Sequence, residues 1–155
     1  MISKQARFTT FASSLPRNRR KSNYNPVTGF TPYLDAGLLD LVRLRLAQIH
    51  GCKRSIAKYT NKLKAKGETA ERLQRLMRWR REEVFSLKEK AALNLAEALC
   101  HNPLSPVSNT AILAAIPFFT EEEIILLALE IVAITDRHYL KTFQHDDMIS
   151  RPPHE

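Results

Sequence analysis

Three side chains capable of redox or proton-transfer chemistry lie close together in the stretch QIHGCKRSIAKYT, residues 48–60. Cys52 follows a glycine where the pattern indicates a helix start, and Ser55 and Tyr59 follow it by three and seven residues. On a helix these spacings place all three side chains on one face. A thiol at a helix N-terminus lies near unpaired N–H groups, which favour the thiolate. The stretch therefore predicts a thiol site that also contains a serine and a tyrosine.

Two more side chains are candidates for moving protons at this thiol. Asp40 lies twelve residues before Cys52, and His50 lies two residues before it. His50 is the better candidate base, since Tyr59 has a reference pKa of about 10. A histidine at a helix end is nevertheless more often a solvated cap residue. Cys100 is either a distant second thiol for the site or, more commonly for such a cysteine, a buried structural residue.

The position of Ser55 limits the chemistry of the site. In a Cys-x-x-Cys centre one thiolate attacks, and the second sulfur resolves the mixed product into a disulfide. Serine cannot form that disulfide, although its hydroxyl can hydrogen-bond a thiolate. A one-cysteine cycle through sulfenic acid remains available, and it needs a thiol from outside the protein.

Helical periodicity follows from about residue 34 onwards, with capping boxes, glycines and prolines separating the segments. No strand pattern, internal repeat or phosphate-binding glycine loop is present in the sequence. The sequence therefore predicts an all-α, single-domain bundle of about six helices. The expected helices are residues 34–50, 52–66, 70–79, 86–100, 106–116 and 120–143.

The last of these helices contains the run IILLALEIVAI, residues 124–134, which is apolar nearly all round. Such a helix has no single buried face, so it lies at the centre of a domain or contributes to a subunit interface. We expect a homo-oligomer on this basis.

The composition shows in which part of the chain the net charge lies, and it limits the possible classes of function. The chain of 155 residues has a net charge of +8, and residues 1–32 contain six basic and no acidic residues. We expect a basic, extended arm over residues 1–32, a helical domain over 33–145 and a disordered tail over 146–155. With the domain nearly neutral, we do not expect nucleic acid as a partner. Two cysteines and no membrane-length apolar run predict a cytoplasmic protein without a membrane partner.

Four stretches of the chain resemble the alkylhydroperoxidase D-like branch of the carboxymuconolactone decarboxylase family. They are LLDLVRLRLAQIHGCKRSIAKYT, KGETAERLQRLMRWR, FSLKEKAALNLAEAL and FTEEEIILLALEIVAIT, within residues 34–143. The resemblance implies an all-helical fold that assembles as trimers or hexamers. It also implies thiol-based peroxidase or disulfide-reductase activity.

The match to the family's redox motif is partial. That motif has a glutamate, eleven residues, Cys-x-x-Cys and a histidine four residues later. Cys52 stands at the first cysteine, Ser55 replaces the second, Tyr59 replaces the histidine and Asp40 replaces the glutamate. The resemblance therefore implies a redox centre that retains one thiol.

Taken together, these patterns predict weak peroxidase or antioxidant-type chemistry at Cys52, with Asp40 and His50 as candidate partners. We expect no cofactor and no metal, and an external thiol as reductant. One alternative is a non-enzymatic, oligomeric binding protein. The other is a cofactor-free decarboxylase or isomerase that acts on a small acidic substrate through His50 and Asp40.

Overall fold

The computed structural model describes the backbone of residues 34–101 and 106–149, and the side chains of 34–101 and 109–140. Within these ranges there are six α-helices, one 3-10 helix and no strand, so the all-α prediction is confirmed. The expected arm, residues 1–32, and residues 150–155 of the tail lie outside the described residues. The helices are α1 Ala36–Ile49, α2 Lys53–Ala65, α3 Ala70–Arg75, the 3-10 helix Leu76–Arg81, α4 Leu87–His101, α5 Pro106–Ala115 and α6 Glu121–Ile149.

Both predicted capping boxes are present. At the start of α4, Glu89 N–H donates to Ser86 Oγ at 3.2 Å, and Ser86 N–H donates to the Glu89 carboxylate at 2.7 Å. Thr120 and Glu123 make the same reciprocal pair at the start of α6, at 3.2 and 2.8 Å. These bonds satisfy N–H groups that have no partner inside the helix.

Two helices differ from their predicted lengths. The predicted helix 70–79 changes to 3-10 geometry after Arg75, and Arg78 has non-helical angles with φ −118°. The last helix continues to Ile149, beyond residue 145 where the domain was expected to end. In the 3-10 segment the buried side chains Leu76 and Trp79 lie three residues apart, which places both on one face.

Two hydrophobic clusters form the core. The larger one joins α1, α4, α5 and α6, and the smaller one joins α2, α3 and the 3-10 helix to the other side of α1 and α4. Most of α1 is buried between them. Its C-terminal turn packs on the larger cluster through Leu46 and Ile49, next to the junction with α2.

Helix α6 has apolar residues both inside and outside the bundle. Leu127 and Ile131 are fully buried, whereas Leu129 and Val132 are 50% and 37% exposed. Within this chain α6 therefore buries one face, and the covering of its exposed apolar residues by a second subunit stays a prediction. In the part of the chain that the structure describes, no helix has the length and apolar character of a membrane span.

Candidate functional site

The junction between α1 and α2 positions the thiol. Gly51 has φ 63°, a left-handed conformation that glycine adopts without the steric penalty of a Cβ. The chain then returns toward α1, and Cys52 N–H donates to the Ala47 carbonyl at 3.0 Å. Cys52 is the N-cap residue of α2, with extended backbone angles and no hydrogen bond from its side chain to the backbone of the first turn. Its side chain contacts Ser55 instead.

The structure brings Cys52 and Ser55 together. Cys52 Sγ–H donates to Ser55 Oγ at 3.2 Å, and both residues are half-buried. The serine hydroxyl therefore lies where the second sulfur of a dithiol centre would lie. If the thiol ionises, the same hydroxyl can turn and donate to the thiolate.

Asp40 lies in a buried group of ion pairs. Its carboxylate accepts from Lys66 Nζ at 2.7 Å and from Arg43 Nη1 at 3.1 Å, and Lys62 Nζ lies 3.7 Å away. Burial by itself would raise the pKa of Asp40, but the bonds from Lys66 and Arg43 outweigh it and hold the pKa below its usual value. A carboxylate bound by this many cations is a weak base at neutral pH.

Glu130 is a site residue that the sequence reasoning missed. It is 2% exposed and its carboxylate accepts from Arg43 Nε at 2.8 Å, which links α6 to α1. The available signal was its position as the single charged residue in an otherwise apolar run, because buried charges need partners. The arrangement Asp40–Arg43–Glu130 is called the buried ion cluster below.

Tyr59 lies beside the buried ion cluster. Burial raises the pKa of Tyr59, while the positive charges of Arg43 and Arg137 oppose that effect. The side chain is therefore a neutral phenol at neutral pH, able to donate a proton in a hydrogen bond but unable to act as a base. At the position of the family's histidine, this chain carries a donor close to Arg43 and Glu130.

His50 is directed toward α4 and α6. Its Nε2 lies 3.4 Å from Cys100 Sγ, and its ring stacks on that of His138 with centroids 4.7 Å apart. Burial, with a smaller effect of His101, lowers the pKa of His50. The imidazole thus contacts the thiol of Cys100 rather than that of Cys52.

Cys100 has the properties of a structural thiol at neutral pH. It is 5% exposed and belongs to the larger hydrophobic cluster. Burial raises the pKa of Cys100. Within the described ranges, no three His, Cys, Asp or Glu side chains are placed to hold a metal ion.

Comparison with known proteins bears on the family resemblance and the fold of the chain. Residues 27–98 match the profile of the carboxymuconolactone decarboxylase family. Over these residues the chain is similar to that family. The resemblance noted in the sequence is thereby confirmed, and the match includes the Cys52 junction.

Two similar proteins illustrate the match. The uncharacterized protein YdfG of Bacillus subtilis (strain 168) is 30% identical over 90 residues, which are 58% of this chain and 61% of YdfG. The chain therefore matches less than two thirds of this relative. A solved structure from Agrobacterium tumefaciens, of a protein of unknown function described as a candidate antioxidant defence protein AhpD, superposes with a TM-score of 0.65. That match covers 79% of this chain and 81% of the other at 21% identity, and it shows a shared fold.

Proposed function

We propose that this chain, which is similar to the carboxymuconolactone decarboxylase family over residues 27–98, is a one-cysteine thiol peroxidase with Cys52 as its reactive group. The observation that carries the proposal is the half-buried Cys52 thiol at the start of α2, 3.2 Å from a serine hydroxyl in the place of a second sulfur. The antioxidant description of the Agrobacterium tumefaciens protein, which has the same fold, supports the proposal.

The proposed cycle has two stages. The Cys52 thiolate attacks one oxygen of a hydroperoxide, the O–O bond breaks, and the alkoxide leaves as an alcohol after taking up a proton. Cys52 is then a sulfenic acid. An outside thiol attacks that sulfur and water leaves, giving a mixed disulfide, which a second outside thiol reduces. The reducing cytoplasm is the compartment that would supply these thiols.

The positions of the other candidates favour this chemistry over a decarboxylase or isomerase. A cofactor-free proton transfer needs a base that is free to act on the substrate. Asp40 is bound by Lys66 and Arg43, and His50 is stacked on His138 with its Nε2 at Cys100. Thiol chemistry at Cys52 needs neither of these groups as a base. A non-enzymatic binding role remains the alternative if the thiol proves inert.

We expect Cys52 to be oxidised by a small organic hydroperoxide and to be regenerated by added thiol. Treating the folded protein with cumene hydroperoxide should convert Cys52 to about one equivalent of sulfenic acid per chain, trapped with dimedone and located by mass spectrometry. Cys100 should remain a thiol under the same conditions because it is buried.

Two variants provide the controls for this experiment. Cys100→Ser should retain the dimedone adduct, and Cys52→Ser should lose it together with thiol-dependent peroxide consumption. If Cys52 resists both peroxide and alkylation in the folded wild-type protein, the peroxidase proposal is wrong and a binding role takes its place.

The assembly forms a second part of the proposal, and we infer a trimer or hexamer of identical chains. Large apolar side chains are exposed on α5, just after it and on α6, with Leu113 65%, Ile116 56% and Leu129 50% exposed. Apolar surface of this kind is typical of interaction sites. A second copy supplies the same apolar surface, and a closed ring of copies covers all of it.

Light scattering at micromolar concentration should give the mass of a trimer or hexamer. Leu129→Glu should reduce that mass, because a charge would be buried in the interface. Met77→Glu is the matched control, since Met77 is 66% exposed on the 3-10 helix and should leave the mass unchanged. A wild-type monomer would contradict the inference.

A further inference from the structure

His50 connects the end of α1 to α6 through its ring. It is the C-cap residue of α1, and its ring stacks on His138 with an interplanar angle of 18°. The Tyr139 ring meets the His50 ring edge-on, with an angle of 77° between the two ring planes and 5.8 Å between the centroids. Two aromatic contacts on one helix thus fix the orientation of the imidazole. His50, Cys100, His138 and Tyr139 are called the His50 cluster.

The third contact of the ring is with α4. His50 Nε2 lies 3.4 Å from Cys100 Sγ. Burial lowers the pKa of His50 and raises that of Cys100, so a neutral imidazole and a protonated thiol meet at neutral pH. In the tautomer whose ring proton is on Nδ1, His50 Nε2 accepts from Cys100 Sγ–H, and the side chain of Thr135 is a second hydrogen-bonding partner of this thiol.

The surroundings of the ring disfavour a positive charge. The groups that contact the ring are a thiol on α4 and an imidazole and a phenol on α6, with the imidazole of His101 acting on it from the end of α4. The nearby carboxylate of α4, Glu97, accepts from Arg45 and Trp79 and forms an ion pair with Arg80. A proton added to His50 would remove its ability to accept from Cys100 and would gain no carboxylate among the described contacts.

We propose that the His50 cluster fastens the α1–α2 junction to α4 and α6, and that protonation of His50 releases it. Release uncovers Cys100 and loosens the Gly51 turn that positions Cys52. In this role His50 is a positioning residue for the thiol site and not its base. The effect on Cys52 chemistry rests on the proposed function, whereas the release itself does not.

The direction of the pH effect follows from the lowered pKa of His50. The folded protein favours the neutral ring of His50. The ring therefore contributes fully to the stability of the fold above the pKa of an unfolded histidine, about 6.5. That contribution is lost as the pH falls through this value toward the lower pKa of the folded state. The cluster is therefore closed at pH 7 to 8 and opens in mild acid.

Competitive alkylation of the two cysteines tests the release. The full-length protein is labelled with N-ethylmaleimide between about pH 7.5 and pH 5, and the ratio of Cys100 to Cys52 adducts is measured by peptide mass spectrometry. Acid acting on the thiols alone cannot raise this ratio. Both thiols react more slowly as their thiolates are protonated, and Cys52, which we expect to be the more acidic, keeps its thiolate to a lower pH than Cys100 does. We expect the ratio to rise roughly fivefold or more below pH 6.

Variants distinguish protonation of the His50 ring from other effects of low pH on the protein. His50→Phe keeps an aromatic ring against His138 and cannot take up a proton, so its ratio should not rise with acid. His50→Asn serves the same purpose if the phenylalanine variant does not fold. His101→Phe, on an exposed neighbour outside the stack, should retain the rise.

Circular dichroism at each pH confirms that the compared proteins remain folded. A ratio that does not rise in the wild type, or that rises equally in His50→Phe and His50→Asn, overturns the proposal. No peroxide is used, and dividing the Cys100 rate by that of a free cysteine peptide at each pH gives the same readout if Cys52 proves inert, so this result and the test of the peroxidase proposal are independent. Loss of the dimedone adduct with a normal alkylation ratio would leave the His50 cluster in place.

Discussion

Ser55→Cys should create a working dithiol from the present one-cysteine site. Ser55 Oγ already lies 3.2 Å from Cys52 Sγ, and a sulfur at this position needs only a small movement to form a bond of about 2.05 Å. Under mild oxidant we expect both thiols to disappear and an intramolecular 52–55 disulfide to form. Peroxide turnover with a dithiol reductant should increase on the order of tenfold or more, because resolution becomes intramolecular.

Thiol titration and peptide mass spectrometry measure the disulfide, and a coupled peroxidase assay measures turnover. Ala57→Cys is the matched control, since residue 57 is exposed on the same helix. This variant adds a thiol at a position other than that of Ser55, and we expect it to form no disulfide with Cys52. Adding Tyr59→His to Ser55→Cys should raise turnover further, because an imidazole near Glu130 can accept the proton that the phenol cannot.

Two results would contradict this view of the site. If Ser55→Cys forms no disulfide, the two side chains are not held as the hydrogen bond indicates. If the disulfide forms but turnover is unchanged, the one-cysteine cycle is not limited by resolution.

Arg43→Met should cause a large loss of stability. The Arg43 guanidinium is shared by Asp40 and Glu130, which are both 2% exposed. Removing it takes a positive charge from two buried carboxylates, and breaking a buried pair in this way costs about 3–5 kcal/mol. Denaturant unfolding at neutral pH measures the difference in the free energy of unfolding.

The control is Arg78→Met, which removes an exposed arginine 3.9 Å from Glu82 and should cost less than about 1 kcal/mol. The double variant Arg43→Met/Glu130→Leu should recover part of the loss, since it also removes one buried charge. A cost for Arg43→Met as small as that of Arg78→Met would show that the buried ion cluster is not a stabilising centre of the fold.

Local signals in the sequence were enough to predict the secondary structure and the family. The capping boxes at Ser86 and Thr120, the left-handed Gly67 and the helical spacing of leucines each depend on residues within a few positions. The pair Cys52–Ser55 was predictable for the same reason, because three residues at a helix start fix their separation. Where the local signal was weak, at Arg78 and at the end of α6, the predicted helix ends were inaccurate.

The partners of the charged and titratable groups depend instead on how the helices pack. Arg43 and Glu130 are 87 residues apart, and His50 and Cys100 are 50 apart, so no local spacing relates them. The sequence placed Asp40 and His50 as candidate partners of Cys52, whereas packing against α4 and α6 pairs Asp40 with cations and His50 with Cys100. Burial makes this choice, because charges and imidazoles removed from water must find whichever partner the neighbouring helix presents.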